Sequence, residues 1–314
     1  MDIVRLHHVG HVVADMVTAL DTYRQLGFAM PPPSYPTMAR MRGGPQEPFG
    51  AANTHADFPR SFVELATLVR DDGRIPETAH LVPLRAPADV LPTLLARIAD
   101  TSSALGDYLD RFEGLHIMMF AASDVDAASA RLADLDHGGV NTVTRPVDTD
   151  EGTRMEILRY VELAGVPEGR IGIVAELDEQ IQATRTASHP NGAIDLVDTV
   201  LCAAAADLPD VEARYRYYLD RPARSDGPTR VFDLDGARVT IVADTDLPTL
   251  LPGERPAELP ALVAYTVAVR DLGFTENLLR LNGIPLHRTA TGDPFVPAAA
   301  ALGAAIVFTQ SPNA

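Results

Sequence analysis

The side chains in this chain that could do chemistry are imidazoles and carboxylates set inside strand-like apolar runs. LHHVGHVV carries His7, His8 and His11, and FVELATL carries Glu64 between apolar neighbours. A carboxylate buried there without a partner is costly, and a bound cation is the simplest way to satisfy it. GLHIMMF adds His116, IVAEL adds Glu176 and NTHADF adds His55. Imidazole and carboxylate are side-chain types that ligate divalent Zn, Ni, Co, Mn or Fe. His7 and His11 alternate in facing with His8, so a regular strand turns both to the opposite, helix-packed side. His55 sits where a strand side chain can touch a substrate. Arg40 and Arg42 follow a proline-rich stretch and could pair with an anionic substrate, with solvated arginine as the ordinary alternative.

Composition removes several other chemistries. All 26 cationic residues are Arg, which leaves no Schiff-base lysine, no lysine general base and no phosphate-loop lysine. The single cysteine, Cys202, cannot form an internal disulfide or a cysteine-cluster zinc site. No GxGxxG, phosphate loop or GxSxG elbow is present. A formal charge of −17 repels a phosphate backbone, so nucleic acid is excluded as a partner. No apolar run is long enough for a membrane helix, and MDIVRLHHVG reads as a strand rather than a signal peptide. The expectation is a soluble chain in a reducing cytoplasm that acts on a small molecule, with a homodimer left open.

One local grammar must position these residues, and it recurs four times. Each unit is a strand, an Asp at a helix N-cap, and an amphipathic helix, followed by two or three further strands. The Asp residues are Asp15, Asp124, Asp207 and Asp271, and Gly27, Gly138 and Gly283 lie just past three of the helices. One such unit has a bare sheet face and needs a partner. Four units therefore pair into two halves, 1–182 and 193–314, with a break at the turn formers Pro190, Asn191 and Gly192. Residues 31–48 read as an irregular proline-rich loop, and 71–113 as a bridge with two short amphipathic helices.

LHHVGHVVADMVTALDTYRQLGF followed by SFVELATL resembles the opening module of the vicinal oxygen chelate superfamily, to which glyoxalase I, methylmalonyl-CoA epimerase and the extradiol dioxygenases belong. The likeness is good over residues 4–70, fair over 112–178, and rests on the repeat from 193 to 314. It implies an α+β fold of four βαβββ modules, paired into two glyoxalase and bleomycin-resistance-like curved-sheet halves. It also implies a divalent metal on the first and last strands of paired modules, which correspond here to His8, Glu64, His116 and Glu176. His8 precedes Asp15 by seven residues and His116 precedes Asp124 by eight, so by strict count Ile117 matches His8. A bulge that restores His116 to the cup, a three-residue site, and a degenerate site all stay open. The same count puts Val200 and Ala264 at the His8 position of modules three and four, which leaves the second half without metal ligands.

The activity implied is proton abstraction beside a metal-chelated carbonyl, with Glu64 or Glu176 as base, as in a lyase, isomerase or epimerase. Two alternatives are an extradiol-type Fe-dependent dioxygenase, which needs His116 in the cup, and a binding protein that sequesters a small molecule.

Overall fold

The computed structural model describes residues 2–39, 41, 44–149 and 152–312. Its first module holds β1 (Ile3–Val12), α1 (Met16–Gln25), β2 (Ser34–Ala39), β3 (Gln46–Pro48), β4 (Ala51–Asp57) and β5 (Phe62–Leu68). β6 (His80–Pro83) and α2 (Leu91–Arg111) lead to the second module, β7 (Gly114–Ala122), α3 (Val125–Arg131), β8 (Asn141–Thr149), β9 (Gly152–Leu163) and β10 (Arg170–Ala175). After α4 (Glu179–Arg185) come β11 (Ala193–Ala203), α5 (Leu208–Leu219), β12 (Arg224–Asp226), β13 (Thr229–Asp233) and β14 (Arg238–Ala243). Beyond α6 (Leu247–Leu250) lie β15 (Ala261–Val269), α7 (Leu272–Leu281), β16 (His287–Arg288), β17 (Pro294–Val296) and β18 (Ala305–Gln310). The molecule is thus α+β, with curved sheets backed by helices. Among the described residues no helix is long and apolar enough to cross a membrane.

Capping works as expected at three of the four modules. The carboxylates of Asp15, Asp124 and Asp271 accept from the backbone N–H three residues on, at 2.7, 3.0 and 2.9 Å. Asp207 makes no such bond, because α5 starts on a proline within its first turn instead. Two segments differ from the sequence reading. The proline-rich stretch contains β2 and β3, since β2 finds a parallel partner in β6 from far along the chain and an antiparallel one in β3. The bridge holds one helix of 21 residues rather than two. Its Thr-Ser-Ser centre reads as a break, yet Ser102 turns its hydroxyl back onto the Ile98 carbonyl at 2.8 Å and the helix continues.

In the first half β1 lies between β5, parallel, and β7, antiparallel, and β7 lies beside β10, parallel. The second half repeats this with β11 between β14 and β15, and β15 beside β18. A single bridge, Leu115 to Leu262, links the two ladders. The HPNGA turn staples them: His189 accepts from the Ala29 amide, and Asn191 donates to the Leu26 carbonyl. A buried chain from Tyr265 through Tyr23 to His11, which ends on the Leu302 carbonyl, crosses the same core.

The ladder registers expose the internal symmetry residue by residue. β1 shifts register between Leu6 and His8, and between Gly10 and His11; β11 shifts at the same steps, between Leu196 and Asp198 and between Val200 and Leu201. His8 therefore corresponds to Asp198, not to Val200. Gly10 pairs with Glu64 and Val200 with Thr240, so Thr240 stands where Glu64 does. Within the first half, His8 pairs with Met119 and Gly10 with Ile117, while Met119 pairs in turn with Gly172. The local two-fold that exchanges β1 and β7 thus sends His8 to Ile117 and Glu64 to Gly172.

Candidate functional site

A cavity of about 180 Å³ opens in the first-half sheet, with Phe62, Met119, Leu158 and Val174 as apolar walls and His7, His8, Asn53, His55 and Glu64 as its polar floor. Phe62 organises the imidazoles. The His8 ring stacks on it at 4.3 Å between centroids, His55 lies tilted at 4.5 Å, and His7 meets it edge-on at 5.2 Å. Glu64 is held from two sides. Asn53 donates to its Oε1 at 2.8 Å, and Nε2 of His55 and of His8 face Oε1 and Oε2 at 3.8 and 3.9 Å. Those two gaps are too long for hydrogen bonds, so His8 leaves Oε2 unengaged.

Burial sets the charge states. Burial alone would raise the Glu64 carboxyl, but His55, His8 and the Asn53 amide outweigh it and hold Glu64 well below the usual carboxylate range. His8 goes the other way: burial, with help from His55 and Arg170 and against the attraction of Glu64, pushes it down to about 3. His7 is driven well below its ordinary value by the same burial. At neutral pH the floor therefore presents one carboxylate beside a neutral imidazole.

The structure brings His8, Glu64 and His55 together. It does not bring His116 or Glu176 to them. Of the three readings left open at His116, a bulge is present, since β1 and β7 slip register there. It turns the imidazole away from the cavity: Nε2 bonds the Phe112 carbonyl at 2.8 Å and the ring stacks on Tyr108, with burial pushing its pKa down to about 4. Glu176 lies just past the end of β10, half-exposed, in an ion pair with Arg5 at 3.3 Å, and lines a separate groove of about 670 Å³. Arg40 and Arg42 lie outside the described residues. Two floor residues escaped the sequence reading. Asn53 was legible as the same-face neighbour of His55 two positions on. His7 reaches the cavity only through the register shift beside it, which no periodicity signals.

The residues present do not fit the metal centre implied for this architecture. The two-fold mates of His8 and Glu64 are Ile117 and Gly172, neither of which can ligate an ion. A Cβ at Gly172 would lie 2.8 Å from the Met119 sulfur, so methionine fills that corner. Among the described residues no three His, Cys, Asp or Glu side chains are grouped so as to hold a metal.

A family profile described as a glyoxalase-like domain matches residues 6–219, two thirds of the chain. The chain belongs to the glyoxalase-like family. Its fold is also that of a substituted 4-hydroxymandelate synthase from Streptomyces coelicolor, with a TM-score of 0.60 at 13% identity over 99% of this chain and 93% of that one. A hypothetical protein from Staphylococcus aureus is similar at a TM-score of 0.58 and 10% identity, over 98% of this chain and all of that one. A fusion of a xylose isomerase-like TIM barrel with 4-hydroxyphenylpyruvate dioxygenase gives 0.55 at 11% identity, with this chain spanning half of its length. No curated protein matches. At these identities the likeness establishes the vicinal oxygen chelate fold and leaves the reaction to the site.

Proposed function

We propose that the first-half cup of this glyoxalase-like protein moves a proton within a small carbonyl compound, with Glu64 as the base and His8 as the hydrogen-bond donor to the carbonyl oxygen. The observation that carries this reading is the pairing of an ionised carboxylate with a neutral imidazole across 3.9 Å at the floor of the cavity, whose lining also includes Glu156, Arg170 and Arg185. Asn53 engages Oε1 of Glu64, which leaves Oε2 to take a proton from the carbon beside the carbonyl. A neutral His8 donates without having to lose a charge, and its Nε2–H would serve an enolate oxygen that develops beside Glu64. The Phe62 ring packs against His8 and His55 and fixes the planes of both. The volume is that of roughly six waters, which sets the size of the substrate.

The test is exchange of carbon-bound hydrogen for deuterium in small α-hydroxy ketones, 2-oxo acids and thioesters, followed by proton NMR. Wild type should exchange at least one of them, and Glu64→Gln should lose about 10²–10⁴-fold in rate. Metal content of untagged protein purified without chelators belongs to the same experiment. One Zn, Ni, Co, Mn or Fe per chain, lost in His8→Ala and Glu64→Ala, would reinstate a metal-dependent lyase or isomerase. Binding of these compounds without exchange would replace catalysis by sequestration.

A further inference from the structure

Consecutive strand residues normally face opposite sides of a sheet, yet His7 and His8 both line the cavity. The register slip between Leu6 and His8 turns the two rings together, and their Nδ1 atoms come to 2.7 Å. His7 is itself 2% exposed, and its Nε2 is buried with no hydrogen-bond partner. We propose that His7 is the positioning residue of the cup: its Nδ1–H donates to Nδ1 of His8 and so holds His8 in the tautomer that carries its proton on Nε2, facing Glu64.

The argument is one of proton accounting. A contact between two ring nitrogens takes one proton, from one side or the other. If His8 were the donor, its neutral ring would turn a bare Nε2 lone pair toward the Glu64 carboxylate at 3.9 Å, acceptor against acceptor. His7 would then carry its one ring proton on the buried Nε2, which has no partner among the described residues, and orphaned N–H groups are the rarer defect. If His7 is the donor, both conflicts vanish. Nε2–H of His8 faces the carboxylate, and the unpartnered atom of His7 is only a lone pair. Stacking on Phe62 holds the His8 ring so that this proton points into the cavity. The same assignment removes the His8 lone pair that a metal would need, in keeping with the missing ligands on β7 and β10. This inference rests on the reading of His8 as a hydrogen-bond donor.

The experiment is long-range proton–nitrogen NMR of the histidine rings in the full ¹⁵N-labelled chain at neutral pH, with His8 assigned by the signals that vanish in His8→Gln. In wild type His8 should show a bare Nδ1 and a protonated Nε2 as two well-separated resonances. In His7→Phe, which keeps the ring packing on Phe62, the two His8 resonances should move toward each other as the tautomers mix. In His7→Asn, whose side-chain amide restores a donor near the old Nδ1, they should separate again. A bare Nε2 in wild type, or a His8 spectrum unmoved by His7→Phe, would overturn the proposal. The wild-type spectrum decides even if a variant fails to fold. It is also independent of the activity reading: a protonated Nε2 in a protein that exchanges no substrate proton would sink the proposed reaction and leave the role of His7 standing.

Discussion

The two halves of this molecule share a ladder down to the position of their register slips, yet one presents a cavity and the other a sealed core. At the place of His8 the second half has Asp198, and at that of Glu64 it has Thr240. Asp198 is 5% exposed and fully engaged: Arg238 donates from Nε at 2.6 Å and the Thr240 hydroxyl at 3.0 Å. The rest of that cup is filled by Leu247 and Leu251 from the α6 segment and by Phe295 of β17. α2 packs on part of the first cup with Leu105 and leaves the His8 end open. The difference teaches that a polar pair at this register is a latent site. Whether it becomes one depends on whether its neighbours complete the hydrogen bonding or leave an atom facing space.

The largest effect expected from breaking this contrast is in the sealed half. Arg238→Ala strands a buried carboxylate, and because Arg238 is itself half-exposed the loss should be about 2–4 kcal/mol by urea unfolding at neutral pH. A change below half a kcal/mol would mean that water satisfies Asp198 as well as Arg238 does.

Next comes pH, where the carboxylates of the two cups act in opposite senses. Burial, against the pull of Arg238 and Thr240, raises Asp198 from 3.8 to about 6. The folded state then holds that proton more tightly than the unfolded chain, so this group's contribution to stability falls as pH climbs from about 4 to about 6. Asp198→Asn should gain on wild type across that window by up to about 3 kcal/mol. Glu64 is lowered, so its contribution is present above its unfolded value of 4.5 and is lost as pH falls below it. Glu64→Gln should therefore flatten the acid limb of the stability curve and leave the window above pH 5 unchanged. The same slope in both variants would mean that the two cups are electrostatically alike.

How much of this was legible in the sequence depends on whether a feature repeats. The strand, the Asp and the helix recur four times, and a periodic pattern survives being read one residue at a time. His55 and Glu64 lie on β4 and β5, which pair in unbroken register, so the facing of each could be read from spacing two. The slips could not. The extra residues are His7 and His116 themselves; the one at His116 left only a one-residue difference in the count to the helix cap, and nothing in HH announces the one at His7. Counting back from a helix cap failed for a similar reason: two additional residues between β11 and α5 displace the count from Asp198 to Val200, and only the hydrogen-bonded register corrects it.

The smallest effects sharpen the comparison by what they leave alone. His116 and Val263 occupy the same bulge in the two halves, and a valine serves in one of them. His116→Val should cost about 1 kcal/mol for the lost bond to the Phe112 carbonyl, with the His8 ring resonances unmoved. Glu176→Gln removes only a half-exposed ion pair with Arg5, worth less than about 1 kcal/mol, and should leave proton exchange at the first cup at its wild-type rate. A fall of tenfold or more in that exchange would place Glu176 back in the chemistry. The carboxylate would then have to swing from its groove past Leu177, the residue that lines both cavities.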